Sequence, residues 1–195
     1  MENILAPNSL YTYQDYLSWP SDERWEVIDG VAYNMTPAPS SNHQRICREL
    51  ATVFNNFLKG KTCEIFPAPF DVRLPHQDEE ERLVSTVVQP DLTLICNKHL
   101  IDQHGCNGCP DLVIEVTSPS TMQKDLKIKF RRYEIAGVKE YWIVHTEGKT
   151  IVVYALGSDG KYGRPNVYTA DDQLSVTILP GLILDLSDIF QVLMD

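Results

Sequence analysis

Asp91, Glu115 and Lys129 are the residues of this chain whose types and spacing suit metal-ion chemistry. Asp91 opens a short apolar run that ends at Cys96, and Glu115 lies inside a second run between Asp111 and Thr117. Glu115 is the oddity, because its neighbours Leu112, Val113, Ile114 and Val116 all demand burial. A run that is apolar on both faces belongs to a central strand covered on both sides. An unpaired carboxylate there costs several kcal/mol or stays protonated, so a divalent cation or a lysine has to compensate it. Strand alternation puts Asp111, Val113, Glu115 and Thr117 on one face. If the two runs pair, Asp91 and Glu115 can share one metal ion. Such an ion generates hydroxide and stabilises charge on a scissile phosphate. Lys129, on the helical segment that follows, would orient the water or stabilise the transition state.

Each of these residues also has a plainer role open to it. Glu115 can be half of a buried ion pair with Lys129, with no metal. Asp91, after Pro90, can cap a turn. Asp111 opens its strand and is expected to be structural. Glu26 lies on a hairpin, either as a solvated edge carboxylate or as a third metal ligand. His43 and Thr117 are accessory candidates, and His43 is read first as a satisfied core histidine rather than a catalytic one. A rival motif uses cysteine: Cys96 and His99, then Cys106 and Cys109, form a C-x2-H…C-x2-C pattern of zinc-like type with a short gap. Cys96 also ends a strand, where a small buried residue serves well. We expect neither a metal nor a disulfide among these four.

Together the motifs resemble a known family. Pro90-Asp91 followed by Glu115-Val116-Thr117 looks like a modified PD-(D/E)xK signature, with threonine where the lysine normally stands. More narrowly, the chain resembles the Uma-two family of restriction-endonuclease-like proteins. The matching pieces are Trp25 to Gly30, His43, Gln89 to Asp91, Pro110 to Thr121, Asp125 with Lys129 and Tyr133, Gly137-Val138, and Glu140 to Trp142. They span about residues 11 to 190. The resemblance implies a restriction-endonuclease-like α/β fold, a mixed central β-sheet flanked by helices, in which the lysine has migrated from the strand to the helix as Lys129. Family members often carry Asp after the Tyr-Trp strand; here that position is His145. The site this implies is catalytic Asp91, Glu115 and Lys129, with metal held by Asp91, Glu115 and Glu26.

The elements that must position these residues can be read from periodicity. Tyr11 to Trp19 is a short helix, with Thr12 and Asp15 in capping-box positions. Trp25 to Met35 is a hairpin turning at Asp29-Gly30. Ser41 to Leu58 is an amphipathic helix with Ile46, Leu50, Val53, Phe54 and Phe57 on one stripe, and His43 and Cys47 on the same side. Strands are expected at 62–66, 70–74, 83–88 and 91–96. Then 111–117, a helix to Ala136 stopped by Gly137, and 140–146 have the grammar of a βαβ crossover. In that helix Leu126, Phe130 and Tyr133 are expected to face inward, with Lys129 at their edge. Strands at 150–156, 167–168, 174–179 and 182–184 and a final helical turn from Ser187 complete the chain.

At 195 residues the chain is expected to be one domain, 1–195. Its 43% hydrophobic content supports a proper core and excludes a disordered chain. Seventeen basic against 27 acidic side chains, a net charge of −10, argue against a broad basic face for nucleic acid. A local one remains open, since Lys124, Lys127, Lys129, Arg131 and Arg132 cluster in one helix while acid gathers from Asp78 to Glu81. No apolar stretch approaches a membrane span, and the start, Met1 to Pro7, lacks signal-peptide character. Five cysteines with no export signal suggest reduced thiols and a cytoplasmic location. The function expected is a Mg²⁺- or Mn²⁺-dependent endonuclease acting on DNA, with a homodimer left open. Its rivals are a catalytically silent nucleic-acid-binding or interaction module on the same fold, and a small zinc module.

Overall fold

The apolar run around Glu115 is covered on both sides because it lies in the middle of a six-stranded sheet. The computed structural model describes residues 9–20, 22–35, 38–76, 79–117 and 122–193. Met1 to Pro7, Pro37, Asp78 and the Ser118 to Thr121 strand break lie outside the described residues.

In chain order, α1 (Tyr13–Tyr16) leads to the hairpin β1 (Trp25–Ile28) and β2 (Val31–Asn34). Asp29 and Gly30 turn it with φ of 49° and 80°, the left-handed pair such a turn needs. Helix α2 (Ser41–Leu58) follows, then β3 (Glu64–Pro67), β4 (Val72–Arg73), β5 (Val87–Val88), β6 (Leu92–Ile95), β7 (Ile101–Asp102), β8 (Gly105–Asn107) and β9 (Leu112–Thr117). A π-helical turn (Lys124–Lys129) runs straight into α3 (Phe130–Ala136). The chain ends with β10 (Glu140–His145), β11 (Thr150–Ala155), β12 (Asn166–Thr169), the pair β13 (Gln173–Ser175) and β14 (Ile183–Asp185), and α4 (Leu186–Phe190).

Among the described residues the strands make two six-stranded sheets and one two-stranded ribbon, where the sequence suggested one mixed sheet. The central sheet has the order β12-β11-β10-β9-β6-β3; only β9 and β10 are parallel, as a crossover through α3 requires. The second sheet, β2-β1-β5-β4-β8-β7, is also mixed. Alternation along β9 explains how one strand feeds two cores. Leu112, Ile114 and Val116 pack with Ile46, Leu50 and Phe54 of α2 and with α4. Val113 packs the other way, with Tyr133 of α3 and with Ile28, Val72 and Val88 of the second sheet. Glu115 shares the face of Val113, so it points towards α3.

Helix α2 keeps its sequence-derived limits. Ser40 caps it by accepting the His43 N–H, and Ile46, Leu50, Phe54 and Leu58 form the buried stripe at four-residue spacing. Truncating a fully buried member such as Leu50 to alanine would cost about 2–5 kcal/mol. The short first helix keeps its capping box, with Asp15 accepting both the N–H and the hydroxyl of Thr12.

The segment before α3 departs from expectation. Leu126 is exposed, whereas Asp125, Lys129, Arg132 and Tyr133 are buried. The reason is the π-helical turn, whose i→i+5 bonding turns each residue through a smaller angle than an α-helix does. The 3.6-residue stripe is therefore out of phase there, and a carboxylate and an ammonium face inward instead of leucine. Nor is the basic helix a uniform solvated face, since Lys129 and Arg132 are buried, Lys124 is half-buried, and Lys127 and Arg131 are exposed.

Cys63 and Cys96 form a disulfide, which corrects the expectation that every thiol is reduced. Strands β3 and β6 pair with Glu64 opposite Ile95, and one step further along this register Cys63 meets Cys96. That removes Cys96 from any zinc thiolate set. Cys106 and Cys109 are free; their thiols donate to the carbonyls of Gly108 and Pro110, and burial pushes both up to about 12. Among the described residues no helix is long and apolar enough to cross a membrane.

Candidate active site

The site is assembled where the two sheets and the π-helical turn meet. Strands β6 and β9 run antiparallel with Leu92 opposite Ile114 and Thr93 opposite Val113. Continued by one pair, this register sets Asp91 opposite Glu115. Asp91 closes the end of the ladder by accepting the Val116 N–H on Oδ2 at 2.7 Å. The same oxygen lies 3.1 Å from Nε2 of His43, which reaches down from the first turn of α2.

Glu115 points the other way. Its Oε1 accepts from Lys129 Nζ and from the Tyr133 hydroxyl, each at 2.9 Å. Lys129 also contacts Glu26 Oε1 at 2.7 Å and lies 4.0 Å from Asp125 Oδ1. Glu26, on β1 of the second sheet, is fully buried rather than at a solvated edge. Its Oε1 further accepts the Gln89 N–H at 3.0 Å, and its Oε2 takes Lys124 Nζ at 2.7 Å. Both oxygens of Glu26 are thus engaged by protein donors. The hydrogen bonds found for Asp91 fall on Oδ2 and those for Glu115 on Oε1, so among the described residues each carboxylate shows a second oxygen without such a bond.

Acidic groups crowd round Lys129: Glu26 and Glu115 contact it, Asp125 lies 4.0 Å away, and Lys124 joins from the far side of Glu26. The crowding falls on Glu115. Burial pushes its carboxyl up to about 8; Lys129 opposes the shift, while Asp125, Asp91 and Glu26 add to it. Burial also pushes Glu26 up, but Lys129 and Lys124 outweigh it and hold Glu26 below the usual carboxylate range. Burial alone would lower Lys129, yet Glu115, Glu26 and Asp125 raise it well above an ordinary lysine, so it stays an ammonium. Tyr133 is likewise raised well above its ordinary value by burial and by Glu115, so it stays a donor.

The remaining candidates fall outside this knot. Thr117 turns its hydroxyl to the Val144 carbonyl at 3.3 Å and to His145 Nδ1 at 2.9 Å. Asp111 accepts the Cys96 N–H and pairs with Lys139, a structural role. Gln89 ties the site to its surroundings. Its side-chain oxygen takes two donors from Arg24, and its amide nitrogen donates to Asp71 and Tyr16. Asp91 and His43 also line a cleft of about 470 Å³ between α2 and the edge strand β3, together with Cys47, Arg48, Ile65 and Pro67. Sequence reasoning gave no role to Lys124, Tyr133 or Cys47. Cys47 could have been found, since four residues separate it from His43 on one helix face. The Lys124–Glu26 contact spans 98 residues and leaves no local signal.

The chain resembles known proteins both in sequence and in fold. The family model for Uma2, described as "putative restriction endonuclease", matches residues 13–187, and the chain belongs to this family. An uncharacterized protein of Synechocystis, slr1290, is 30% identical over 174 residues, covering 88% of this chain and 87% of the relative. The crystal structure of a protein from Anabaena variabilis, titled "putative nuclease belonging to DUF820", superposes with a TM-score of 0.73 at 19% identity, over 93% of this chain and 98% of that one. That likeness shows that the two chains share a fold.

Proposed function

We propose that this chain is a metal-dependent endonuclease that hydrolyses phosphodiester bonds in DNA, with Mg²⁺ or Mn²⁺ held by Asp91 and Glu115. The observation that carries this reading is a buried carboxylate, Glu115, pushed up by burial and by its acidic neighbours, at the position facing Asp91 across one strand pair. The donors of both are hard oxygens, which suits these ions. When bound there, the ion would polarise the phosphate and lower the pKa of a water. The rest is the work of this chain's own residues. The Val116 N–H and His43 hold one oxygen of Asp91 and so aim the other. Glu26 and Asp125 keep Lys129 protonated and in place, and the hydrogen bond it gives Glu115 is the one it can turn to a phosphate oxygen. Lys124 neutralises the far side of Glu26. With both its oxygens engaged, Glu26 acts here by positioning Lys129 rather than by binding the ion directly.

The test is cleavage of supercoiled plasmid by the purified chain in Mn²⁺ or Mg²⁺. We expect nicking by the wild type and its loss in Asp91→Asn, which keeps an acceptor for the Val116 N–H. The second reading is a silent nucleic-acid-binding or interaction module, and the Glu115–Lys129 contact itself favours it. It is the outcome if the wild type does not cleave in either ion, or if Asp91→Asn cleaves equally well.

A further inference from the structure

On the far side of Asp91 from Lys129 lies a different set of donors. His43 and Cys47 stand one turn apart on the same face of α2, and the imidazole sits between the thiol and the carboxylate. Its Nδ1 is 3.5 Å from Cys47 Sγ and its Nε2 is 3.1 Å from Asp91 Oδ2. One ligand atom from each of the three residues lies within 4.8 Å of the others. We propose that His43, Cys47 and Asp91 form a second, softer metal site that takes Zn²⁺ or a similar late transition-metal ion.

Three features support it. The donor set is one nitrogen, one sulfur and one oxygen, which suits tetrahedral zinc with one position left open. The thiolate is what separates it from the hard-oxygen position on the Glu115 side, because Mg²⁺ and Mn²⁺ have little preference for sulfur. The backbone is also prepared for it: α2 is pinned by its buried stripe, and Asp91 is held by the Val116 N–H. The site is reachable as well. The side chains of His43 and Asp91 are 12% and 18% exposed, and all three residues line the cleft beside α2, where water could fill the fourth position. The plain alternative is that this is only a polar contact that orients Asp91. It predicts no thiolate bond to any metal.

Binding balances simply. The Cys47 thiol proton is released to solvent, the His43–Asp91 contact opens, and bonds from the metal to sulfur, ring nitrogen and carboxylate oxygen replace them. Because Asp91 belongs to both positions, zinc here would compete with the ion of the cleavage reaction. That consequence rests on the nuclease reading; the site itself does not.

The experiment is a Co²⁺ titration of the full chain followed by absorption. We expect one equivalent to produce a near-ultraviolet thiolate-to-cobalt band and tetrahedral visible bands, both removed stoichiometrically by Zn²⁺. The thiolate band should vanish in Cys47→Ser and persist in Glu115→Gln. Absence of the band, its survival in Cys47→Ser, or its loss in Glu115→Gln would each overturn the proposal. X-ray absorption of the zinc-loaded wild type gives a readout without any variant. One sulfur neighbour at about 2.3 Å is expected, and none or more than one refutes the site. In plasmid cleavage supported by Mn²⁺, added Zn²⁺ should inhibit the wild type and leave Cys47→Ser far less affected. If the wild type does not cleave at all, the nuclease reading fails, while the absorption bands still decide the site.

Discussion

Replacing Glu115 with glutamine removes a carboxyl whose ionisation burial disfavours and keeps the acceptor that Lys129 and Tyr133 use. The carboxyl ordinarily titrates at 4.5 and is pushed up to about 8 by burial. Since the native state then binds the proton more tightly than the unfolded chain, stability is greatest below 4.5 and is lost as pH rises towards 8. At pH 7 the loss is about 3 kcal/mol, because the unfolded carboxyl is ionised there and the native one is not. The glutamine side chain resembles the protonated acid, so the variant should recover a large part of this. Lys129 is not orphaned by the change, since Glu26 and Asp125 remain beside it. At roughly 2–4 °C per kcal/mol for a chain of this size, the metal-free variant should melt about 6–12 °C higher at pH 7, with the gain shrinking towards pH 4.5. Mn²⁺ should close most of the gap. At a hundredfold excess over its dissociation constant it would stabilise the wild type by about 2.7 kcal/mol and barely affect the variant. The assay is a set of thermal melts of both proteins from pH 4.5 to 8, with and without Mn²⁺. A large loss of stability in the variant, together with no metal response in the wild type, would refute the reasoning and leave Glu115 as the partner of Lys129 alone.

Lys129→Ala should abolish cleavage, but it should also destabilise the fold by about 3–5 kcal/mol, because it strips the shared ammonium from Glu26 and Glu115; an unchanged urea midpoint would contradict the buried contacts. Among the described residues the buried Thr93 hydroxyl has no hydrogen-bond partner, so Thr93→Val should raise stability by about 1 kcal/mol in urea unfolding, and a loss would mean that the hydroxyl has a partner after all. Reducing the Cys63–Cys96 disulfide, which closes a loop of 33 residues, should lower stability by about 3–4 kcal/mol; equal urea midpoints with and without reductant would show that it contributes nothing.

Several features were legible from local pattern alone. The limits of α2 follow from its 3.6-residue stripe and its cap, and the hairpin at Asp29-Gly30 from the left-handed angles that its turn requires. Glu115 announced itself as a charge within a run that had to be buried, and the crossover from β9 to β10 as strand, helix, strand. These depend on side-chain periodicity and backbone preference over a few residues, which any segment carries with it.

Tertiary structure decided the rest. Which residues meet across strands is set by register, and a register is chosen by the whole sheet and not by either strand. It aligned Asp91 with Glu115 and Cys63 with Cys96, and only the first of these alignments was foreseen. The π-helical turn shifted the helical phase so that Asp125 faces inward and Leu126 does not, while Lys129, expected at the edge of the inward face, is buried. Packing of one sheet against the other carried Glu26 to Lys124 and Lys129 across about half the chain, and with them the balance of charge around Glu115. The residue types alone were enough to suggest the chemistry proposed for the site. The pKa of the one carboxyl that decides it depends on distances between charges in a low-dielectric interior, and those distances exist only once the chain has folded.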